Sequence, residues 1–381
     1  MTKEVFINKV ARFLPNNPVS NDEMEQRLGL IGEKPSRAKS IILRQNRIKT
    51  RYYAVDEAGK FTHTNAQLTA NAIRGLFATK EYDLKDIQLL CCGTSFPDQT
   101  LPSHASMVHG ELPDAPTMEI MSTAGACCTS SSALKYGYMS ILSGNASNAV
   151  CTGSELLSPM LHAKNFKAEY EKLEIVENNP IMAFQKDFLR FMLSDGAGAC
   201  LLSDKPNKDG ISLRIDWIES ISYANQLKTC MYQGAEKDDN GDLISWKFLE
   251  EQEWLDKSVF AIQQDVRHLN TYIMPKSVEH IVNSLAKRNI KPTEIDYILP
   301  HISSMFFYDK LKSGLAEAGS PFSDEKWFTN LTEVGNVGAA SMYLMLEEIM
   351  RSGNLKPGQK LFVYNPESAR FSYSVALLTV V

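Results

Sequence analysis

The sequence predicts an α/β protein made of two similar halves, because the chain repeats itself. Tyr82-Asp-Leu-Lys-Asp-Ile-Gln-Leu-Leu-Cys-Cys-Gly93 reads like Ile290-Lys-Pro-Thr-Glu-Ile-Asp-Tyr-Ile-Leu-Pro-His301. Each is a polar turn, an acidic residue and an apolar strand, and each follows an amphipathic helical pattern. Further on, one helical pattern ends in Ser143-Gly-Asn145 before the strand Ala149-Val-Cys-Thr152, and another ends in Ser352-Gly-Asn354 before Leu361-Phe-Val-Tyr364. A chain of 381 residues is long enough to bury a large core in both halves. The halves are expected to span 1–203 and 204–381, each with a mixed five-stranded sheet, packed as alternating helix and sheet layers.

The repeat shows where chemistry would gather. In Thr123-Ala-Gly-Ala-Cys-Cys-Thr-Ser-Ser-Ser-Ala-Leu-Lys-Tyr136, small residues lead into a helix that buries Leu134, Tyr138 and Ile141. A thiol at such a helix N-terminus gains thiolate character from the first-turn N–H groups. A lone cysteine is otherwise a small buried hydrophobe. The strand Ile295-Asp-Tyr-Ile-Leu-Pro-His301 delivers an imidazole at its carboxyl end, where open α/β sheets place their sites. In Asn330-Leu-Thr-Glu-Val-Gly-Asn-Val-Gly-Ala-Ala-Ser341, Gly335 and Gly338 flank Asn336 and allow a tight turn before a helix ending at Gly353. Superposing the two Ser-Gly-Asn tripeptides lays Asn336 on Cys127 and Val337 on Cys128. Cys127 is therefore the expected nucleophile, with Cys128 as the alternative.

With these motifs in view, the chain resembles the β-ketoacyl synthase III family of the thiolase superfamily over most of its length. The family's nucleophile helix and following Gly-Ser-Asp strand look like Ala126-Cys127 through Gly153-Ser-Glu155. Its Gly-Asp-Gly-Ala-Gly-Ala motif looks like Ser194-Asp-Gly-Ala-Gly-Ala199. Its Pro-His-Gln-Ala-Asn segment is similar to Pro300-His-Ile-Ser-Ser304, and its Gly-Asn-Thr-Ser-Ala-Ala-Ser motif to Gly335-Asn-Val-Gly-Ala-Ala-Ser341.

The resemblance implies a thiolase fold, two pseudo-symmetric halves in an α-β-α-β-α arrangement, and a ketosynthase with Cys127, His301 and Asn336 as catalytic residues. Cys127 would attack an acyl thioester to form an acyl-enzyme. His301 and Asn336 would present N–H donors to the carbonyl of a malonyl- or β-ketoacyl-type thioester as decarboxylation makes it an enolate. Backbone N–H groups of Cys127 and Ala369 would hold the tetrahedral oxyanion, with Ser368 and Phe371 beside the substrate. The resemblance also implies a homodimer formed around Ala149–Thr152, acyl carrier protein or coenzyme A thioesters as partners, and neither cofactor nor metal. Leu101, in Gln99-Thr-Leu-Pro-Ser-His104, matches a position where the family places a bulky Phe that reaches across the dimer into the acyl pocket, so a larger acyl chain is expected.

Three departures bear on the substrate. Ser368-Ala-Arg-Phe371 replaces the family's Gly-Gly-Gly-Phe, Ile302 replaces the Gln after the catalytic His, and the stretch 156–193 is longer than usual. That stretch carries Phe166, Tyr170, Phe184 and Phe188 among many charges, as a surface excursion or a lid. The departures favour a ketosynthase of secondary metabolism, similar to those that join two acyl thioesters and cyclise them to a cyclohexanedione, the precursor of dialkylresorcinols and stilbenes. An acyltransferase forming an ester or amide with His301 as base, and a catalytically silent subunit, are the alternatives.

Composition agrees. No apolar run approaches membrane-span length, and Met-Thr-Lys-Glu-Val-Phe-Ile lacks a secretory apolar core, so a cytoplasmic, non-membrane protein is expected. Seven cysteines, with adjacent pairs at 91–92 and 127–128, suit reduced thiols rather than a disulfide framework or zinc site. A net charge of −5 argues against nucleic acid. An acidic carrier protein would need a local basic patch, for which Lys287, Arg288, Lys310, Lys312, Lys164 and Lys167 are the candidates, or else solvated helix faces.

Overall fold

Nine strands pair into one mixed sheet whose order repeats from one half to the other. They are β1 (Phe6–Phe13), β2 (Leu89–Thr94), β3 (Glu119–Thr123), β4 (Asn148–Glu155), β5 (Gly196–Ser203), β6 (Leu213–Ser222), β7 (Tyr297–Pro300), β8 (Lys360–Glu367) and β9 (Ser372–Val380). The computed structural model that shows them describes residues 3–31, 35–36, 38–79, 81–166 and 188–381. The spatial order is β7-β8-β9-β6-β1-β5-β4-β2-β3. β1, β5 and β4 are antiparallel neighbours, and β2 and β3 then add in parallel. β6, β9 and β8 repeat the antiparallel part and β7 the first parallel step. The two halves join through a short antiparallel contact, Phe6 with Arg214 and Ile7 with Leu213.

One expectation is corrected. The C-terminal half contributes four strands to this sheet rather than five, because the counterpart of β3 shrinks to a single parallel bridge between Trp327 and Ile298. Phe328 N–H donates to the Ile298 carbonyl at 3.0 Å, but the next helical turn starts at Leu331 and ends the strand. Large side chains compensate: the Trp327 ring packs on Tyr308 and Phe322.

Period-two alternation builds the layers. Leu89, Cys91, Ala149, Cys151, Cys200 and Leu202 face one core together with Leu361, Val363, Ala376 and Leu378 of the other half. Filling that core are α3 (Thr129–Ser143), through Leu134 and Ile141, and α6 (Ser341–Arg351), through Met342 and Leu346. The intervening residues Leu90, Cys92 and Val150 face α1 (Asn65–Leu76) and α2 (His104–Gly110). Phe362 and Tyr364 face α4 (Val266–Ala286) and α5 (Met305–Glu317). The sequence of layers is thus helix, half-sheet, paired central helices, half-sheet, helix. A Leu346→Ala change in the central layer would cost about 2–5 kcal/mol.

Where the central helices begin, they touch. Tyr343 Oη donates to the Ser130 carbonyl, and Ser131 Oγ lies against Met342 Sδ. Gly153 permits this closeness, since a Cβ there would fall 2.3 Å from the Ala339 carbonyl oxygen. Among the described residues no helix is long and apolar enough to cross a membrane.

Candidate active site

The heads of the two central helices and the carboxyl end of β7 meet at one cavity, and Cys127, His301 and Asn336 all line it. Of the seven cysteines, all unpaired, Cys127 is the one that is not buried. Its neighbour Cys128 turns inward, its thiol donating to the Asn365 carbonyl at 3.2 Å. The Asn365 side-chain amide in turn donates to the Cys127 carbonyl at 2.9 Å, so one residue orients both cysteines.

His301 follows β7 directly, and its N–H donates to the Tyr364 carbonyl at 2.7 Å, which carries the β7–β8 ladder one residue beyond the strand. Burial pushes the imidazole down to about 4, so the neutral ring, with one N–H to give, is the form present at neutral pH. Asn336 is held on three sides. Its N–H donates to the Met192 carbonyl at 2.9 Å, its carbonyl accepts from Ser194 N–H at 2.9 Å, and its side-chain oxygen accepts from Gly338 N–H at 3.0 Å. Because that oxygen is taken, the amide NH2 is the end left to donate, and a donor that never titrates suits an oxyanion.

Two buried carboxylates complete the centre, and neither was assigned a role from sequence. Glu155 lines the cavity; its Oε1 accepts from Ser95 N–H, Ser95 Oγ and Ala339 N–H. Gly338 makes room for it at φ +49°, where a Cβ would lie 2.8 Å from that oxygen. Burial raises the Glu155 carboxyl to about 7, against the pull of those donors. Glu367 Oε2 accepts from Ala126 N–H at 3.0 Å and Cys128 N–H at 3.1 Å, straddling Cys127, and burial raises its proton affinity too.

Burial and Glu367 work against the expected thiolate character of Cys127. Burial and then the charges of Glu367 and Glu155 raise the thiol above its ordinary range. The partial positive charge at the helix head is real, but a resident carboxylate already occupies the N–H groups flanking Cys127.

The loop after β8 is clamped by the segment between β6 and α4. The Ala369 carbonyl accepts from Cys230 N–H at 2.8 Å and Met231 N–H at 3.2 Å, and Gln264 Nε2 donates to Ser368 Oγ at 3.3 Å. This clamp does the work of holding a loop that lacks the family's glycines. Ser368 lines the cavity. Phe371 does not, which corrects its expected place beside the substrate. It sits at φ +57°, a conformation that turns its buried ring onto His268 and Tyr272 of α4. Leu101 is absent from the cavity wall as well, 84% exposed within the chain, so any contact it makes with an acyl chain must be to a second copy.

Apart from Ser95, Gln264 and Ser303, the rest of the wall is apolar, with Phe96, Met192, Met231, Ile273, Met274 and Phe307. Ser194 and Asp195 of the glycine-rich motif are structural: Asp195 accepts from the N–H groups of Ala54, Leu157 and Ser158. The basic candidates are mostly engaged. Lys287 and Arg288 pair with Glu219, Lys312 pairs with Asp324, and Lys310 and Lys164 lie over the rings of Phe306 and Phe61. Lys167, Tyr170 and Phe184 lie outside the described residues; Phe166 and Phe188, at the ends of the excursion, are buried. A signal for the two carboxylates was present: each is a lone acid closing an apolar strand.

The chain is similar to known proteins over most of its length. Residues 285–367 match the family model of the 3-oxoacyl-[acyl-carrier-protein] synthase III C terminal, and residues 119–207 match that of the β-ketoacyl synthase N-terminal domain. A Clostridium perfringens β-ketoacyl-[acyl-carrier-protein] synthase III is 27% identical over 351 residues, 92% of each chain. One from Neisseria gonorrhoeae is 24% identical over 361 residues, covering 94% of this chain and 93% of its own. Among solved structures, AbyA1, a tetronic acid condensing enzyme, superposes with a TM-score of 0.76 at 19% identity over 98% of this chain and 99% of that one. Xanthomonas campestris OleA, crystallised with lauric acid and lauroyl-CoA, gives 0.74 at 17% identity over the whole of both chains. The Aquifex aeolicus 3-oxoacyl-[acyl-carrier-protein] synthase III gives 0.70 at 20% identity over 99% of both chains. These likenesses fix a thiolase fold of the synthase III kind.

Proposed function

We propose that this chain, a β-ketoacyl synthase III-like condensing enzyme, loads an acyl group on Cys127 and joins it to the α-carbon of a second thioester activated by His301 and Asn336. The observation that carries the reading is the meeting of the thiol of the one half-buried cysteine, a neutral imidazole and a free amide NH2 in one largely apolar cavity. Acylation splits the transfer in two. When a β-carboxylated thioester then loses carbon dioxide, charge grows on its carbonyl oxygen, where two fixed donors are worth several kcal/mol. The N–H groups of Cys127 and Ala369 take the oxyanion formed on the acyl carbon.

The substrates are an acyl chain longer than acetyl and a malonyl- or β-ketoacyl-type thioester, borne by acyl carrier protein or coenzyme A in the cytoplasm. Apolar side chains from both halves, Phe96 and Met192 on one side and Met231, Ile273, Met274 and Phe307 on the other, support a sizeable chain, each buried methylene adding about 0.8 kcal/mol. The working unit is a homodimer, in which the exposed Leu101 gains the acyl pocket of the partner to fill; its seam is not the expected Ala149–Thr152, which lies buried in an inner strand paired on both sides. A role in secondary metabolism, with cyclisation after condensation, fits the loop Ser368–Phe371 and the length of the stretch 156–193, and the similar solved structures include AbyA1, a tetronic acid condensing enzyme.

The test is to incubate the protein with an acyl-coenzyme A and carboxyl-labelled malonyl thioester. Acylation of Cys127 by intact mass and release of labelled carbon dioxide are expected. Acyl transfer to a hydroxyl or amine without carbon dioxide would sink the reading in favour of an ester- or amide-forming transferase.

A further inference from the structure

Glu155 is a buried carboxylate on the cavity wall for which decarboxylative condensation has no use. Losing carbon dioxide generates the carbanion by itself, so that reaction needs donors for the enolate oxygen but no base. The surroundings of Glu155 are nevertheless those of a base beside those donors. Its Oε1 is saturated by three donors, Ser95 N–H at 3.2 Å, Ser95 Oγ at 2.6 Å and Ala339 N–H at 3.1 Å. Its Oε2 has a single long contact, to Thr94 Oγ1 at 3.5 Å. One oxygen is thereby fixed and the other left basic. The Ala339 bond also ties the carboxylate to the turn that carries Asn336, three residues earlier, so base and enolate donor are held by the same piece of backbone.

We infer that Glu155 is a catalytic base that removes an α-proton, giving this site a second, non-decarboxylative route to C–C bond formation with thioesters whose α-carbon carries hydrogen and is acidified by a β-carbonyl. The inference rests on the reading of Cys127, His301 and Asn336 given above. The α C–H bond breaks, its proton passes to Glu155 Oε2, and its electron pair moves onto the thioester carbonyl oxygen between the His301 and Asn336 N–H groups. The α-carbon then bonds to the acyl carbon on Cys127. The bond from that carbon to sulfur breaks, and Cys127 leaves as thiolate and recovers the proton from Glu155. Nothing is oxidised or reduced, and the products are the C-acylated β-ketoacyl thioester and the free thiol. His301 is a poorer candidate for the base, because a protonated imidazole there would be a buried cation with no carboxylate hydrogen-bonded to it among the described residues.

The experiment preloads Cys127 with an acyl group and then follows condensation separately with a malonyl thioester and with a β-ketoacyl thioester, in wild type, Glu155→Gln and Glu155→Asp. Wild type is expected to condense both. Glu155→Gln keeps an acceptor for Ala339 N–H but has no base, so the ratio of the β-ketoacyl rate to the malonyl rate should drop at least about 100-fold, the usual contribution of a positioned base. Glu155→Asp should restore part of that ratio. A ratio within threefold of wild type in Glu155→Gln, or an equal loss of both rates, would overturn the inference and leave Glu155 as a tether for the Asn336 turn. Failure of wild type to condense even the malonyl thioester would strike instead at the reading of the site itself.

Discussion

Glu155 and Glu367 close equivalent strands, β4 and β8, and each binds the backbone at the head of the other half's central helix. Glu155 takes Ala339 N–H, next to α6, and Glu367 takes Ala126 and Cys128 N–H, next to α3. The first N–H groups of a helix have no partner of their own, and a carboxylate answers both that deficit and the helix dipole. Crossing the pseudo-symmetry axis, the pair pins the Cys127 and Asn336 turns to opposite half-sheets. Only Glu155 also reaches the cavity.

The Glu367 charge should restrain the thiol it straddles. In Glu367→Gln the side-chain oxygen still accepts from the two N–H groups but no longer repels a thiolate, so the Cys127 thiol should ionise more readily. Alkylation of Cys127 by iodoacetamide at pH 7, read by intact mass, should speed up about tenfold, the effect of lowering a thiol by one pH unit below its ionisation. An unchanged or slower rate would show that Glu367 does not set the reactivity of the nucleophile.

Glu155 should make stability fall as pH rises. Its carboxyl is raised in the folded protein to about 7, from an ordinary 4.5. Below pH 4.5 it is protonated both folded and unfolded. Between 4.5 and 7 the unfolded chain gives up the proton while the folded protein keeps it, so the folded state loses ground, each tenfold difference in proton affinity being worth about 1.4 kcal/mol. Urea unfolding at pH 4.5 and 7.5 should show a larger loss in wild type than in Glu155→Gln. Parallel losses would mean the carboxyl is ionised throughout.

Catalytic roles should separate by step. Cys127→Ala is expected to abolish acyl loading, whereas Cys128→Ala, which gives up inward thiol contacts to the carbonyls of Asn365 and Ser372, should retain it. Asn336→Ala and His301→Ala should still load but release carbon dioxide from malonyl thioester at least about 100-fold more slowly, as expected for the loss of one oxyanion donor. Labelling on Cys128 would break the equivalence of Cys127 with Asn336, and loss of loading in His301→Ala would make His301 the base that activates the thiol.

Much of this architecture was legible in the sequence because it is local. Strand alternation at Leu89–Cys92 and Leu361–Tyr364 assigns faces without any knowledge of partners, and the repeat lays Asn336 on Cys127 from spacing alone. What escaped depends on contacts between distant residues. The Cys127 thiol is held up first by burial and then by the charge of Glu367, 240 positions away, and no helix-head argument about Cys127 could include either. Phe371 belongs to a loop whose course is set by Cys230 and Met231, so its ring faces α4 rather than the cavity. The missing fifth strand of the second half follows from the early start of the turn at Leu331, a boundary that apolar patterning around Trp327 does not mark.

Acyl-chain length should be set from two sides, one internal and one across the dimer. Met274 lies on the cavity wall within the chain, at the turn of α4 just before Pro275, whereas Leu101 is exposed and can act only on a partner's cavity. Met274→Trp fills part of the apolar wall and should shift preference toward shorter acyl thioesters whatever the oligomeric state. Leu101→Trp should do so only in dimers. A competition assay with mixed acyl thioesters, run on samples whose mass is measured by sedimentation, separates the two. If Leu101→Trp leaves the chain-length profile of a confirmed dimer unchanged, the residue is no part of the pocket, and the limit on the substrate lies with α4 and its neighbours alone.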